Sequence, residues 1–386
     1  MPWLVLLLIP VAFVLAAPLA ALMIRLGHRL RTFDSAGVAG QVKAPPRKVP
    51  NTGGVAIFWG IALPMLLGLG AAWAYGGAEA PALPAVLEPL RAQLAGIRQE
   101  TPLALLLIGC LAALHVMGLI DDRRPMGPWV KLLLMAGASA AVVTFSGTRL
   151  LELLDNRAGG PWLSILVTVL WFLVVTNAMN FMDNMDGLSA GVAAVAAGCF
   201  LAGTLTQDRP QWFVAACLAL LVGACGGFLL FNFPRAGGAR IFMGDGGSLV
   251  LGFLLAFLTV RTTYVGSAGG QGPAVASGAW YGVFMPLVVL AVPIYDFASV
   301  CAIRISQGRS PFVGDMQHLS HRLVQHGLSK RSAVAVIWGL TAITGIAGIA
   351  LGSLKPWQAI LVGVQTLLIL LVAALFEYSR SKAVRA

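Results

Sequence analysis

The chain has 386 residues, 58% of them hydrophobic and only 11% charged, with a formal net charge of +11. That balance excludes a soluble multi-domain protein, and the missing ten-residue alternation excludes a membrane β-barrel. The basic residues lie mostly in short segments between apolar runs, where orientation in a membrane explains them without nucleic acid as a partner.

The apolar runs recur at the length a helix needs to cross about 30 Å of hydrocarbon. In chain order they predict spans over 3–24, 53–75, 102–120, 128–146, 162–181, 187–206, 211–231, 247–265, 279–301, 332–353 and 356–376. This is an all-α, polytopic integral membrane protein of ten or eleven helices, with one domain over 1–386. Its first run lacks a basic start and is longer than a signal-peptide core, and its basic cluster follows it, so the N-terminus is expected outside. Alternate threading then puts the C-terminus in the cytosol. It leaves only Arg91, Arg98, Arg149, Arg157, Arg209, Arg261 and Lys355 of the 26 Lys and Arg on the other side. The cytosolic segments are those near 25–52, 121–127, 177–187, 232–247 and 302–331. Cys110, Cys199, Cys217, Cys225 and Cys301 have no paired spacing and read as small packing residues.

The unusual polar residues gather in those segments. Asp121 and Asp122 end the third span, and "NAMNFMDNMDGLSAG" ends the fifth with Asn177, Asn180, Asp183 and Asp186 at a three-residue spacing. A continuous α-helix would spread these four over half its circumference, whereas 3₁₀ winding or a break would align them as a shelf of oxygens. One carboxylate near a helix end can simply snorkel; four acidic clusters on one face mark a site. Oxygen donors without zinc spacing suit Mg²⁺ or Mn²⁺ holding phosphates, so a diphosphate substrate follows. In "FMGDGGS" Asp245 can ligate the ion, while Gly246, Gly247 and Ser248 open the eighth span, where a helix N-terminus favours an anion or is simply capped.

The adjacent pair Asp121 and Asp122 resists joint ionisation, which suits a general base; pairing with Arg123 and Arg124 is the plainer alternative. Lys131, one turn into the next span, can neutralise a phosphate or merely snorkel. His318 and His321, near Asp315, Arg322 and Lys330, suit hydrogen bonds to phosphate or sugar oxygens, whereas His28, His115 and His326 read as structural.

Together "GLIDDR", "TNAMNFMDNMDGLSAG", "FNFPRA" with "IFMGDGGSLVLGF", and "SPFVGDMQHLSHRLVQHGLS" resemble the polyprenyl-phosphate N-acetylhexosamine-1-phosphate transferases over nearly the whole chain. The resemblance implies Mg²⁺-dependent transfer of a sugar-1-phosphate from a UDP-N-acetylhexosamine to undecaprenyl phosphate at the cytosolic face of a bacterial inner membrane, with release of UMP. It implies that one of Asp121 and Asp122 deprotonates the lipid phosphate, that Asn180 and Asp245 hold Mg²⁺, and that Lys131 meets the diphosphate. Asn177, Asp183 and Asp186 would border nucleotide and metal, with Gly246 at the substrate, and Phe242 would stack on uracil. His318 and His321 would close over the sugar phosphate. The loop "RKVPNTGG" keeps Arg47, Lys48, Pro50, Gly53 and Gly54, but Asn51 stands where many members have Arg, and Asn184 stands where Gly is common.

"QHLSH" replaces the triple-His loop of the muramoyl-pentapeptide branch, so the resemblance is nearer the UDP-GlcNAc branch that begins lipid-linked envelope glycans. The competing readings are a muramoyl-pentapeptide transferase, a cation or proton transporter, and a non-catalytic scaffold. A transporter would want its acids near mid-bilayer rather than at span ends. The residues leave open direct attack against an aspartyl intermediate, and a homodimer against a monomer.

Overall fold

The computed structural model describes residues 2–33, 47–77, 81, 91–152, 155–207, 211–263 and 284–381. Residues 34–46 of the first polar segment, including Lys43, lie outside the described residues, as do Arg209, Lys382, Arg385, most of 76–90 and the start of the run 279–301. The bundle consists of α1 (Leu8–Leu30), α2 (Gly54–Tyr75), α3 (Thr101–Asp121), α4 (Pro128–Ser146), α5 (Trp162–Phe181), α6 (Leu188–Leu205) and α7 (Trp212–Asn232). It continues with α8 (Asp245–Thr263), α9 (Met285–Val289), α10 (Ala291–Ser306), α11 (Leu319–Gln325), α12 (Lys330–Ile349) and α13 (Pro356–Ser381). Among the described residues ten helices are long and apolar enough to cross a bilayer. The protein is a multi-pass, all-α membrane protein.

The run expected as a ninth span is divided at Leu290. Pro293 sits in the first turn of α10, where it cannot donate to the carbonyl of Val289 and its ring crowds that oxygen, so the helix ends there and restarts.

Helix α8 is the axis of the bundle. Its span is 83% buried, against 11% for α13 at the periphery. It packs on α2, α3, α5 and α6, with Phe253, Leu254 and Phe257 fully enclosed. In lipid, apolar character alone does not drive helices together, so association relies on close contact at small residues. A Cβ on Gly118 of α3 would lie 2.3 Å from the Gly246 nitrogen, and one on Gly54 of α2 would lie 2.4 Å from that of Gly247. A Cβ on Gly252 would lie 2.6 Å from Cα of Thr176 in α5. These glycines bring three helices against the start of α8, and that is where the polar residues meet.

Gly118→Ala is therefore expected to push α3 off α8, costing about 1–3 kcal/mol. Thermal unfolding in detergent measures it. A melting temperature equal to wild type would show that the contact yields without cost.

Candidate active site

The centre of the site is Lys131. The helix α4 begins after Gly127 with Pro128 in its first turn, which places Lys131 one turn in and beside the end of α3. Its Nζ lies 2.8 Å from Oδ2 of Asp121 and 3.2 Å from Oδ2 of Asp245. Asp121 also accepts from the backbone nitrogen of Met126 at 2.6 Å, which closes the α3–α4 turn. The other oxygen of Asp245 accepts from Nδ2 of Asn180 at 2.9 Å, and the same amide donates to Oγ of Ser248. Four helix ends thus share one network, with the Lys131 side chain 25% exposed and Asp121 11% exposed.

The pair at the end of α3 is divided in orientation. Asp121 faces Lys131, whereas Asp122 turns toward the start of α8 and accepts from the backbone nitrogen of Asp245 at 3.2 Å. The adjacent nitrogen of Gly246 also bonds to this carboxylate. The second oxygen of Asp122 is buried without a hydrogen-bond partner. It borders a cavity of about 10 Å³ shared with Thr32, Asn51 and Thr52, roughly the size of one water. Burial first, and then the charge of Asp245, push the Asp122 carboxyl up to about 8. Gly244 has φ +70, and a Cβ there would lie 2.4 Å from the unpartnered Asp122 oxygen, so both backbone and space require glycine.

This geometry corrects the expectation for the N-terminus of α8. Its first N–H groups, those of Asp245 and Gly246, are already taken by the Asp122 carboxyl group. The nitrogens of Gly247 and Ser248 bond instead to the Gly244 carbonyl. Gly246 does not stand open to a substrate either: its carbonyl accepts from, or shares a proton with, Nδ1 of His115 at 2.7 Å, and it packs on Leu119. His115 is structural, as its isolation in the sequence suggested.

The four residues at three-residue spacing do not form one shelf. Helix α5 continues regularly through Asn177 and Asn180, and Asn177 donates to the carbonyl of Leu173 at 2.8 Å. The chain tightens only at its end, where the nitrogen of Asp183 bonds to the carbonyl of Asn180, and it turns over 182–187 before α6. Gly187, at φ +81, makes that reversal and donates to Asn232 at 2.6 Å. Regular winding plus a turn sends the side chains apart: Asn180 joins Asp245, while Asp186 lies across the turn and forms a second centre.

There Asp186 holds Arg47 through two oxygens, at 2.5 and 3.0 Å, and accepts from the nitrogen of Ala239 at 2.9 Å. The Arg47 guanidinium lies 4.7 Å from the ring centroid of Phe242. A cation therefore covers the ring expected to stack on uracil, since π-face attraction and a bidentate carboxylate both hold it there. Lys48 beside it is exposed. The first polar loop is fixed to the same segment by hydrogen bonds from Phe242 to Pro50, Gly53 to Phe242 and Gly54 to Met243.

The histidine loop docks on the end of α5. Nδ1 of His318 is 2.9 Å from Oδ2 of Asp296, a fully buried carboxylate that also accepts from the nitrogen of Leu319. The rings of His318 and His321 are 6.3 Å apart, and His318 meets Phe181 edge on. Burial, then the neighbouring His318, hold the His321 imidazole below its usual range, so it stays neutral near pH 7. Ser320 donates to Asn184 at 2.5 Å, which gives the unusual Asn a purpose. Arg304 bonds to Asp315 by two nitrogens and covers Phe181. Asp296 and Arg304 were not singled out from sequence. A lone Asp inside the apolar run "VPIYDFASV" was the available signal for the first of them.

Among the described residues no three carboxylates, imidazoles or thiols stand close enough to hold a metal by themselves. The donors present are carboxylate and amide oxygens. They fit a hard cation such as Mg²⁺, which takes one or two carboxylates and completes its shell with phosphates and water. They do not fit a closed protein cage.

Fold and site together define a membrane protein whose helix ends converge on a lysine held between carboxylates. The sequence profile of glycosyl transferase family 4 matches residues 104–263, from α3 through α8. The chain belongs to this family. It is 31% identical over 300 residues to the decaprenyl-phosphate N-acetylglucosaminephosphotransferase of Mycobacterium tuberculosis, covering 75% of this chain and 69% of that one. It is 29% identical over 271 residues, 69% and 71% of the two chains, to the probable undecaprenyl-phosphate N-acetylglucosaminyl 1-phosphate transferase of Bacillus subtilis. The undecaprenyl-phosphate alpha-N-acetylglucosaminyl 1-phosphate transferase of Yersinia pestis is 28% identical over 297 residues, 74% and 76% of the two chains.

Proposed function

We propose that this protein transfers GlcNAc-1-phosphate from UDP-GlcNAc to undecaprenyl phosphate on the cytosolic face of a bacterial inner membrane, releasing UMP. The observation that carries the reading is Lys131 between Asp121 and Asp245 at the meeting point of four helix ends. That centre can accept a diphosphate at the depth of a lipid headgroup. The relatives' names favour GlcNAc over a muramoyl pentapeptide as the transferred sugar. Carboxylates at helix termini rather than along a path through the spans disfavour a transporter.

An oxygen of the lipid phosphate bonds to the sugar-bearing phosphorus, the bond from that phosphorus to the bridging oxygen breaks, and the bridging oxygen leaves with UMP. Lys131 exchanges part of its carboxylate contacts for phosphate oxygens and offsets the charge as it shifts to the leaving group. Asp121, on the Lys131 side, receives any proton carried by the acceptor phosphate. Asp122 acts as a positioning residue, because its carboxyl group accepts from the nitrogens of Asp245 and Gly246. Asp245 and Asn180 would hold Mg²⁺, which when bound supplies charge neutralisation at the diphosphate. His318, oriented by Asp296, and His321 hydrogen-bond the sugar phosphate, while Arg47 and Asp186 border the nucleotide beside Phe242.

Purified protein with undecaprenyl phosphate, UDP-GlcNAc and Mg²⁺ should release UMP and form one lipid product with the mass of undecaprenyl diphosphate-GlcNAc. EDTA in excess should stop the reaction and added Mg²⁺ restore it. Turnover undiminished by EDTA would remove the cation. Product formed only from UDP-MurNAc-pentapeptide would replace the sugar.

A further inference from the structure

The last helix, α13, stands apart from the bundle along most of its length. Its span is 11% buried, and Ile360, Leu367 and Val372 lie well exposed on it. Its single acidic residue, Glu377, is the exception, with a side chain only 11% exposed. A carboxylate at the end of an apolar span is costly unless it is partnered, so its partner shows what it is for.

That partner is on the histidine helix α11. Nε of Arg322 lies 2.9 Å from Oε2 of Glu377, and the Tyr295 hydroxyl of α10 donates to the same oxygen at 3.4 Å. The backbone carbonyl of Glu377 is 3.0 Å from Nε2 of His326, just past the end of α11. Arg322 carries this hold inward. Its Nη1 donates to the carbonyl of Gln317, the residue before His318, and its Nη2 donates to Ser299 of α10 at 2.9 Å. Helix α10 also supplies Asp296 to His318, so three helices meet around the segment that carries His318 and His321.

A contact that merely kept α13 on the bundle could join any two spans. This one ends on the peptide next to His318. Removing the Glu377 charge frees one side of the Arg322 guanidinium, and the Gln317 carbonyl that it holds moves with it. The imidazoles then lose the alignment on which a hydrogen bond to substrate depends.

We propose that Glu377 is a positioning residue: acting through Arg322, it fixes the loop that presents His318 and His321 to the sugar phosphate. The assignment rests on the transferase reading above. The last helix thus takes part in the reaction although it lies outside the Lys131 centre.

The test uses full-length protein in lipid nanodiscs and steady-state UMP release. Glu377→Gln, which keeps shape and removes charge, should raise KM for UDP-GlcNAc about tenfold, with kcat and the KM for undecaprenyl phosphate within about threefold of wild type. A purely structural defect would lower the active fraction, and so kcat, at unchanged KM. Arg322→Ala should raise the same KM, and Arg322→Ala with Glu377→Ala should equal Arg322→Ala alone within about twofold, because the two side chains act as one unit. Hydrogen exchange of wild type needs no variant: UDP-GlcNAc should slow exchange over 317–326 and in the last turn of α13 together. An unchanged KM for UDP-GlcNAc in Glu377→Gln, additive effects in the double variant, or protection of 317–326 without α13 would overturn the proposal. Failure of wild type to release UMP from any UDP-sugar would sink the transferase reading itself. Release by wild type with the KM unmoved in Glu377→Gln would sink this proposal alone.

Discussion

Replacing Asp245 with Asn lowers kcat/KM for UMP release by about 1,000-fold, close to 4 kcal/mol of transition-state stabilisation. The carboxylate accepts from Asn180 on one oxygen and from Lys131 on the other. An amide of the same shape must turn its NH₂ toward one of those two donors, so one hydrogen bond becomes a donor facing a donor. It also removes the negative charge that sets Lys131 in place and would hold a divalent cation. The helix packing around Gly118 and Gly54 does not depend on that charge, so the variant should insert and purify as wild type. UMP release, measured with size-exclusion behaviour as the control, checks this. Activity within tenfold of wild type would take Asp245 out of the centre.

Arg304→Ala destabilises the protein by about 3–5 kcal/mol, the cost of leaving one member of a buried ion pair alone. Arg304 is 1% exposed. Its Nε and Nη2 bond to Asp315 at 3.1 and 3.0 Å, and its Nη1 to the carbonyl of Pro311 at 2.7 Å. Burial by itself would raise the Asp315 carboxyl, and the Arg304 hydrogen bonds overcome this and hold it below the usual range. A depressed folded value means the stabilisation is complete near neutral pH and is lost as pH falls through that value. Thermal unfolding at pH 7 measures the loss. Arg304→Lys should recover only part of it, because an ammonium group cannot make the two-pronged contact. An unchanged melting temperature for Arg304→Ala would mean that the histidine loop is held by other contacts, such as the Ser320–Asn184 bond.

Much of the architecture is legible in residue order. The predicted spans 128–146 and 162–181 coincide with α4 and α5, and most others agree within a few residues, because a run of twenty apolar residues has few ways to satisfy its backbone in hydrocarbon. The break at Leu290 was hidden by the same apolarity, since Pro293 falls within a run that reads as continuous. Asp121, Lys131, Asn180 and Asp245 could be nominated from motif and helix end, and the bundle brings all four together. Asp186 and Phe242 could be nominated too, but their pairing through Arg47 joins residues 139 positions apart and left no local trace.

Chain order alone determined that this is a membrane protein, which termini carry its chemistry, and which family it resembles, because those follow from apolar length and from residues close in sequence. Only the tertiary structure decided that Asp121 and Asp122 point to different neighbours, and that the start of α8 is occupied by the Asp122 carboxyl group. Each of those depends on how helices distant in sequence approach and rotate against one another, and that is set by side-chain packing across the bundle.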